Sequence, residues 1–231
     1  MQDNADKRGK DDYQKIYDGY NDFILSQDTY VLSKMIARID LFKQIINIPG
    51  DIVECGVFKG TGMLLWLKLV KIFCPNSIKK VVGFDMFKKQ ELLYSLNEID
   101  KKAMAHLFEY ANNNNLTVQQ LDDMLQKYNF DKNKYSIVDG DISKTIYEYI
   151  KDKPGFRISL INLDLDLDKP TYEVLTAIWD RIPKGGIIIF DEYSIDRWSE
   201  SQGVDRFIKG KNVQLLSIPY TKTPSAYIIK E

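Results

Sequence analysis

The segment from Ile158 to Tyr193 limits the possible fold more than any other stretch of this chain. Ile158, Leu160, Ile161 and Leu163 form one apolar run, and Ile187, Ile188, Ile189 and Phe190 form another. Each run is too short for a helix and too continuously apolar for a strand with one wet face. That pattern belongs to strands covered on both sides of a parallel sheet. Between them, Pro170 opens a helical pattern through Val174, Leu175, Ile178, Trp179 and Ile182. Strand, helix, strand is a crossover unit. It sets Asp164 and Asp166 at the carboxyl end of one strand and Asp191 and Glu192 at the end of the next. Ligands of open α/β sheets bind along that edge.

Carboxylates crowded into one crevice repel one another unless a cation or a proton sits among them. With oxygen donors only, and no His or Cys nearby, the pattern predicts a hard divalent ion, magnesium, manganese or calcium, held by Asp164, Asp191 and Glu192. Asp168, just before Pro170, reads instead as a helix-start residue. A cluster of mutually repelling carboxylates also predicts that Asp191→Ala leaves metal-free stability unchanged or slightly raised.

Composition excludes several classes. The chain has 231 residues, 44% of them hydrophobic, enough for one sizeable core. Thirty-two Lys and Arg against 33 Asp and Glu leave a net charge of -1, no field for a nucleic-acid backbone. Cys55 and Cys74 lack metal or redox spacing and read as reduced buried thiols. No apolar run approaches the roughly 20 residues of a membrane span, and the polar first ten residues lack a signal-peptide core. The expectation is a soluble, cytoplasmic protein with no nucleic-acid or membrane partner, a homo-oligomer remaining open.

In chain order, residues 1–10 read as disordered. Tyr13, Ile16, Tyr17, Tyr20, Phe23 and Ile24 make an aromatic stripe at helical spacing, read as packing, and Leu32, Met35, Ile36, Ile39, Phe42 and Ile46 make a second helix. Together, residues 1–47 form a helical segment able to lie over the sheet edge as a lid, and residues 48–231 form the main domain. Ile52 and Val53 start a strand that ends at Glu54, followed by Gly56, Gly60 and Gly62 around the turn into a helix. Glycines there let a ligand approach the backbone. A second strand closes in Asp85, suited to gripping both hydroxyls of a ribose. A third ends in Asp139-Gly140-Asp141, where contact with an adenine ring and a plain turn role both fit. Residues 88–115 read as a helical insertion containing the lone His106, expected at the surface; Thr117 and Gln120 then form a capping box. Two final short strands are expected to pair antiparallel at the sheet edge.

Glu54 two residues before Gly56, with Gly60 and Gly62 following, resembles motif I of class I S-adenosylmethionine-dependent methyltransferases. More specifically, I-P-G-D-I-V-E-C-G-V-F-K-G at 48–60, G-F-D-M-F at 83–87, D-L-D-L-D-K-P-T at 164–171 and P-K-G-G-I-I-I-F-D-E-Y at 183–193 resemble the macrocin-type sugar O-methyltransferases. The resemblance implies a Rossmann-like α/β fold with a mostly parallel seven-stranded sheet, helices on both faces and a helical N-terminal lid. It implies S-adenosylmethionine and magnesium as cofactors and a sugar-containing small molecule as acceptor. Asp164 would be both metal ligand and general base, Asp191 and Glu192 metal ligands, and Glu54, Gly56, Gly60, Asp85, Asp139, Asp141 and Thr29 would surround the cofactor. The chain departs from the family at Asp168, usually Tyr, and at Glu192, usually Asp. A catechol-type O-methyltransferase is the alternative. A nicotinamide-dependent oxidoreductase is less compatible, because G-x-G-x-x-G is absent at the first turn.

Overall fold

The computed structural model describes residues 10–87, 93, 96–110 and 116–231. Of the residues expected to be disordered, 1–9 lie outside the described residues and Lys10 opens a helix, and residues 88–92, 94–95 and 111–115 of the expected insertion also lie outside them. Seven strands form one sheet in the order β3-β2-β1-β4-β5-β7-β6. They are β1 (Asp51–Cys55), β2 (Val81–Asp85), β3 (Tyr135–Asp139), β4 (Ile158–Leu163), β5 (Ile187–Phe190), β6 (Leu215–Ser217) and β7 (Ala226–Ile229). The first five run parallel, and β7 lies antiparallel between β5 and β6, so the expected final hairpin is present. Strand order reverses between β1 and β4, the switch point at which such sheets open a ligand crevice.

The helices among the described residues are α1 (Lys10–Leu25), α2 (Tyr30–Gln44), α3 (Thr61–Phe73), α4 (Glu98–Tyr110), α5 (Val118–Lys127), α6 (Ile142–Asp152), α7 (Asp168–Ile178) and α8 (Glu200–Ile208). Both sheet faces are covered. Val53, Val82, Ile161 and Ile188 pack on one face against Ile146 of α6, Val174 and Ile178 of α7 and Phe207 of α8. Ile52, Val81, Leu160 and Ile187 pack on the other against Phe42 of α2, Trp66 of α3 and Leu121 and Leu125 of α5. Consecutive strand residues therefore serve opposite layers, and burial on both sides explains why β4 and β5 read as unbroken apolar runs. Each fully buried Leu, Ile or Phe contributes about 1.5–3 kcal/mol.

Helix α2 belongs to the body, since Ala37, Leu41 and Phe42 join the second core layer. Helix α1 overturns the expectation of packing. Tyr13, Ile16, Tyr17, Tyr20 and Ile24 are all exposed. The capping box at Thr117 and Gln120 opens α5 as expected. In the insertion, Met104 and Phe108 of α4 pack with Leu167 and Trp198, and His106 is exposed. Asp100 accepts a hydrogen bond from the Ser199 hydroxyl at 2.8 Å, tying this helix to the loop beyond β5.

Candidate active site

At the switch point, β1 and β4 leave the sheet side by side. Gly56 has φ +90°, and a Cβ there would stand 2.0 Å from the Asp164 carbonyl oxygen, so only glycine lets the two chains separate. The turn continues through Gly60, also left-handed, into the N-terminus of α3. Asp85, at the end of β2, accepts the Phe58 N–H at 2.5 Å and so braces the turn. Asp139 lies beside Asp85 in register, exposed, and accepts the Phe87 N–H at 3.3 Å. The turn thus sets glycine backbone beside the carboxylates of Asp85 and Asp139, the donor and acceptor chemistry that an adenosine-bearing cofactor requires.

The second half of the site is a charged cluster beneath α2. Lys34 donates to Asp191 Oδ2 at 2.7 Å and lies 3.6 Å from Asp164 Oδ2. Arg38 reaches Asp191, Asp164 and Glu54 at 3.5, 3.6 and 3.8 Å, and its guanidinium sits 5.7 Å from the centre of the Trp66 ring. Glu54, 2% exposed, accepts the Trp66 indole N–H at 2.5 Å. Burial and the neighbouring negative charges outweigh Arg38 and push the Glu54 carboxyl up to about 7. Burial, then Asp191, raises Asp164 to about 6, and burial with Asp191 and Asp164 raises Glu192 to about 7. Asp166, at φ +63°, and Glu200 are held well above the usual carboxylate range, again chiefly by burial. For Lys34, burial opposes the charged form, but Asp164 and Asp191 win and raise its pKa.

Two cations thus face six carboxylates, Glu54, Asp164, Asp166, Asp191, Glu192 and Glu200. Burial first, and repulsion from neighbouring carboxylates second, raises Glu54, Asp164, Asp166, Glu192 and Glu200. Among the described residues, no three acidic side chains stand close enough together to cage an ion. Lys34 and Arg38 fill the space between Asp164 and Asp191. The donor set still suits a hard divalent cation. It is all oxygen and short of positive charge: Glu200 Oε2 is buried without a hydrogen-bond donor, and Asp191 Oδ1 has only the Arg38 guanidinium at 3.5 Å. A cavity of about 770 Å³ lies between the segment after β5 and the β6–β7 edge, lined by Tyr193, Ser194, Arg197, Ser217, Lys222 and Ser225, and none of the six carboxylates lines it.

The structure therefore brings Asp164 and Asp191 together and sets Glu192 beside them, while Gly56, Gly60, Asp85 and Asp139 stand at the turn. Three other expected contacts are placed differently. Glu54 lies behind the turn with its carboxylate committed to Trp66 and Arg38, where it acts on the turn only by packing against Gly62. Asp141 caps α6 by accepting the Ser143 N–H, the plain turn role. Thr29 is exposed at the N-cap of α2 and makes no side-chain capping bond. Asp168 sits in the first turn of α7 and pairs with Arg206 at 2.9 Å, as a helix-start residue should. Sequence reasoning missed Lys34, Arg38 and Glu200. Arg38 had a signal: it shares the core-facing side of α2 with Ala37, Leu41 and Phe42, and a cation on such a face demands a buried anion.

A family model described as Macrocin-O-methyltransferase (TylF) matches residues 31–218. The 8-demethyl-8-(2,3-dimethoxy-alpha-L-rhamnosyl)-tetracenomycin-C 4'-O-methyltransferase of Streptomyces olivaceus is 27% identical over 155 residues. That alignment covers 65% of this chain and 55% of the relative, so the chain spans only about half of that protein's length. Among solved structures, the calicheamicin methyltransferase CalS11 superposes with a TM-score of 0.71 at 22% identity, covering 86% of this chain and 79% of that one. Its apo form, described as a TDP-rhamnose 3'-O-methyltransferase, gives 0.65 at 24% identity over the same shares. The O-methyltransferase NovP gives 0.69 at 17% identity, again covering 86% and 79%. These likenesses establish the Rossmann-like fold of class I methyltransferases.

Proposed function

Because the chain belongs to the macrocin O-methyltransferase family, we propose that it is an S-adenosylmethionine-dependent, divalent-metal-assisted O-methyltransferase acting on a sugar hydroxyl of a glycosylated or nucleotide-linked small molecule. The observation that carries this reading is Asp164. Its backbone packs against Gly56 at the switch point, and its carboxyl, 3.6 Å from both Lys34 and Arg38, is raised to about 6. It therefore remains mostly ionised at neutral pH yet is a stronger proton acceptor than an ordinary carboxylate.

When bound, the cofactor supplies an electrophilic sulfonium methyl group, and the reaction exchanges its S–C bond for an O–C bond to the acceptor. The protein's share is alignment, proton removal and exclusion of water. Gly56 and Gly60 keep the turn open, and Asp85 is placed to hold a ribose. Asp164 takes the proton of the acceptor hydroxyl. Asp164, Asp191 and Glu192 would hold the cation, whose contribution is to acidify a coordinated hydroxyl. Arg38 fixes Asp164 and Asp191 in position, and the Lys34 ammonium holds the same pair. Helix α2 and the α4 insertion roof this edge as a lid.

The test is mass spectrometry of products from a sugar-nucleotide and glycoside library, with S-adenosylmethionine, in magnesium and in EDTA. A gain of one methyl on a sugar oxygen, abolished by chelator, is expected. Methylation of catechols but not sugars, or a thermal shift with NADH and none with S-adenosylhomocysteine, would overturn the reading. Full turnover in EDTA would remove the cation alone.

A further inference from the structure

We propose that helix α1, with the outer side of α2, forms a homodimer interface whose occupant is the same surface of a second copy of this chain. Tyr13, Ile16, Tyr17, Tyr20 and Ile24 are each more than half exposed. From Asp12 to Leu25, every side chain is exposed except the half-buried Phe23. A helix of this length with no packed face is marginal in water. Yet its pattern is that of a packed helix, with Asp12, Lys15, Asp18 and Asp22 on the side away from the stripe. The apolar surface continues along the chain into Val31, Leu32 and Ile36, which α2 leaves 37–46% exposed while its other side enters the core.

The area agrees with a dimer. Large apolar and aromatic side chains present about 150–250 Å² each, so these eight residues leave on the order of 800 Å² uncovered. The largest apolar patch on an ordinary monomer is about 300–600 Å², whereas a standard interface takes about 800 Å² from each partner. The chemistry selects the occupant. Three Asp against one Lys on the reverse side of α1 disfavour an anionic membrane or a nucleic acid, both of which want a basic face. A Tyr-rich stripe suits a protein interface. Two-fold pairing covers the whole stripe in both copies by one operation and needs no second protein. Since α2 carries Lys34 and Arg38 on its inner side, a partner pressing on its outer side would hold the roof of the carboxylate cluster in place.

Sedimentation velocity of the full chain over a micromolar concentration series tests this. Wild type should sediment at twice 26.9 kDa, and the Tyr17→Glu/Tyr20→Glu variant at the monomer mass, with a dimer dissociation constant at least about 30-fold weaker. Circular dichroism checks that the variant is folded. If it is not, Tyr13→Ser/Tyr20→Ser, which introduces no charge, takes its place with the same expectation. A wild type that stays monomeric, or folded variants that dimerise as tightly as wild type, overturns the proposal. Two specific forms of that failure have their own readouts. A monomer whose α1 amides gain exchange protection on adding S-adenosylhomocysteine would make α1 an intramolecular lid. A monomer that cosediments with phosphatidylglycerol vesicles would make it a membrane-surface helix.

Discussion

At the residue scale, the ion network under α2 changes what a substitution should do. Carboxylates considered alone predict that Asp191→Ala relieves repulsion. In the structure Asp191 is 1% exposed and holds Lys34 and Arg38. Its loss removes the carboxylate nearest to each cation, leaving only the longer contacts to Asp164 and Glu54 at 3.6 and 3.8 Å, and the sign reverses. We expect Asp191→Ala to destabilise the metal-free protein by about 2 kcal/mol in urea unfolding, the worth of a charge-assisted hydrogen bond. Arg38→Ala should cost more, about 3–5 kcal/mol, because it leaves the buried Glu54 and Asp191 without their shared partner. Arg38→Lys should recover only part of this, since an ammonium cannot reach three carboxylates as a planar guanidinium does. Asp164→Asn is a different kind of change: the amide keeps an oxygen but cannot accept a proton. Turnover should fall by about 10²–10⁴-fold, with S-adenosylhomocysteine affinity, measured by calorimetry, close to wild type.

At the element scale, the β1 turn and the end of β2 form one unit, because Asp85 braces the Phe58 amide across the crevice. Asp85→Ala should therefore weaken S-adenosylhomocysteine binding by about 2 kcal/mol, close to 30-fold in titration calorimetry. Unchanged affinity would mean that β2 does not contribute to the cofactor site. Most elements were legible at this scale. Both β4 and β5, the capping box of α5 and the antiparallel final pair follow from local pattern, since each rests on period, length or turn chemistry. The exception is α1, whose stripe carries the same periodicity as a core helix. Periodicity shows that a face is apolar but cannot show whether the same chain supplies the cover.

At the scale of the whole molecule, the charge deficit at the sheet edge should appear in the pH dependence of stability. Glu54, Asp164 and Glu192 have folded pKa values near 7, 6 and 7, against about 4 for unfolded carboxylates. Between pH ~4 and ~7 the folded protein therefore binds more protons than the unfolded chain, and its stability falls as pH rises through that window. In EDTA, Tm should be higher at pH 5 than at pH 8. Magnesium should reduce the difference by stabilising the ionised carboxylates at the higher pH. A flat or rising profile in EDTA would show that the cluster is neutralised in some other way.

The parallel, doubly covered strands and the strand-end positions of Asp85, Asp164, Asp191 and Glu192 could be read from sequence alone, whereas the strand order and its switch point came from the structure. Strands buried on both faces, glycine turns and crossover connections are local consequences of residue type, and local geometry carries them to one edge. The partners of those carboxylates could not be read, because pairing depends on which helix crosses the edge and which of its faces turns inward. Lys34 and Arg38 are more than 120 positions from Asp164 and Asp191, and no periodicity links them. Only the docking of α2 against β1, α3 and the core around Trp66 puts two cations among the acids. The same docking converts Glu54 from a motif residue into a buried brace. Coulomb energy depends on distance in space, and distance in space is what the tertiary fold decides.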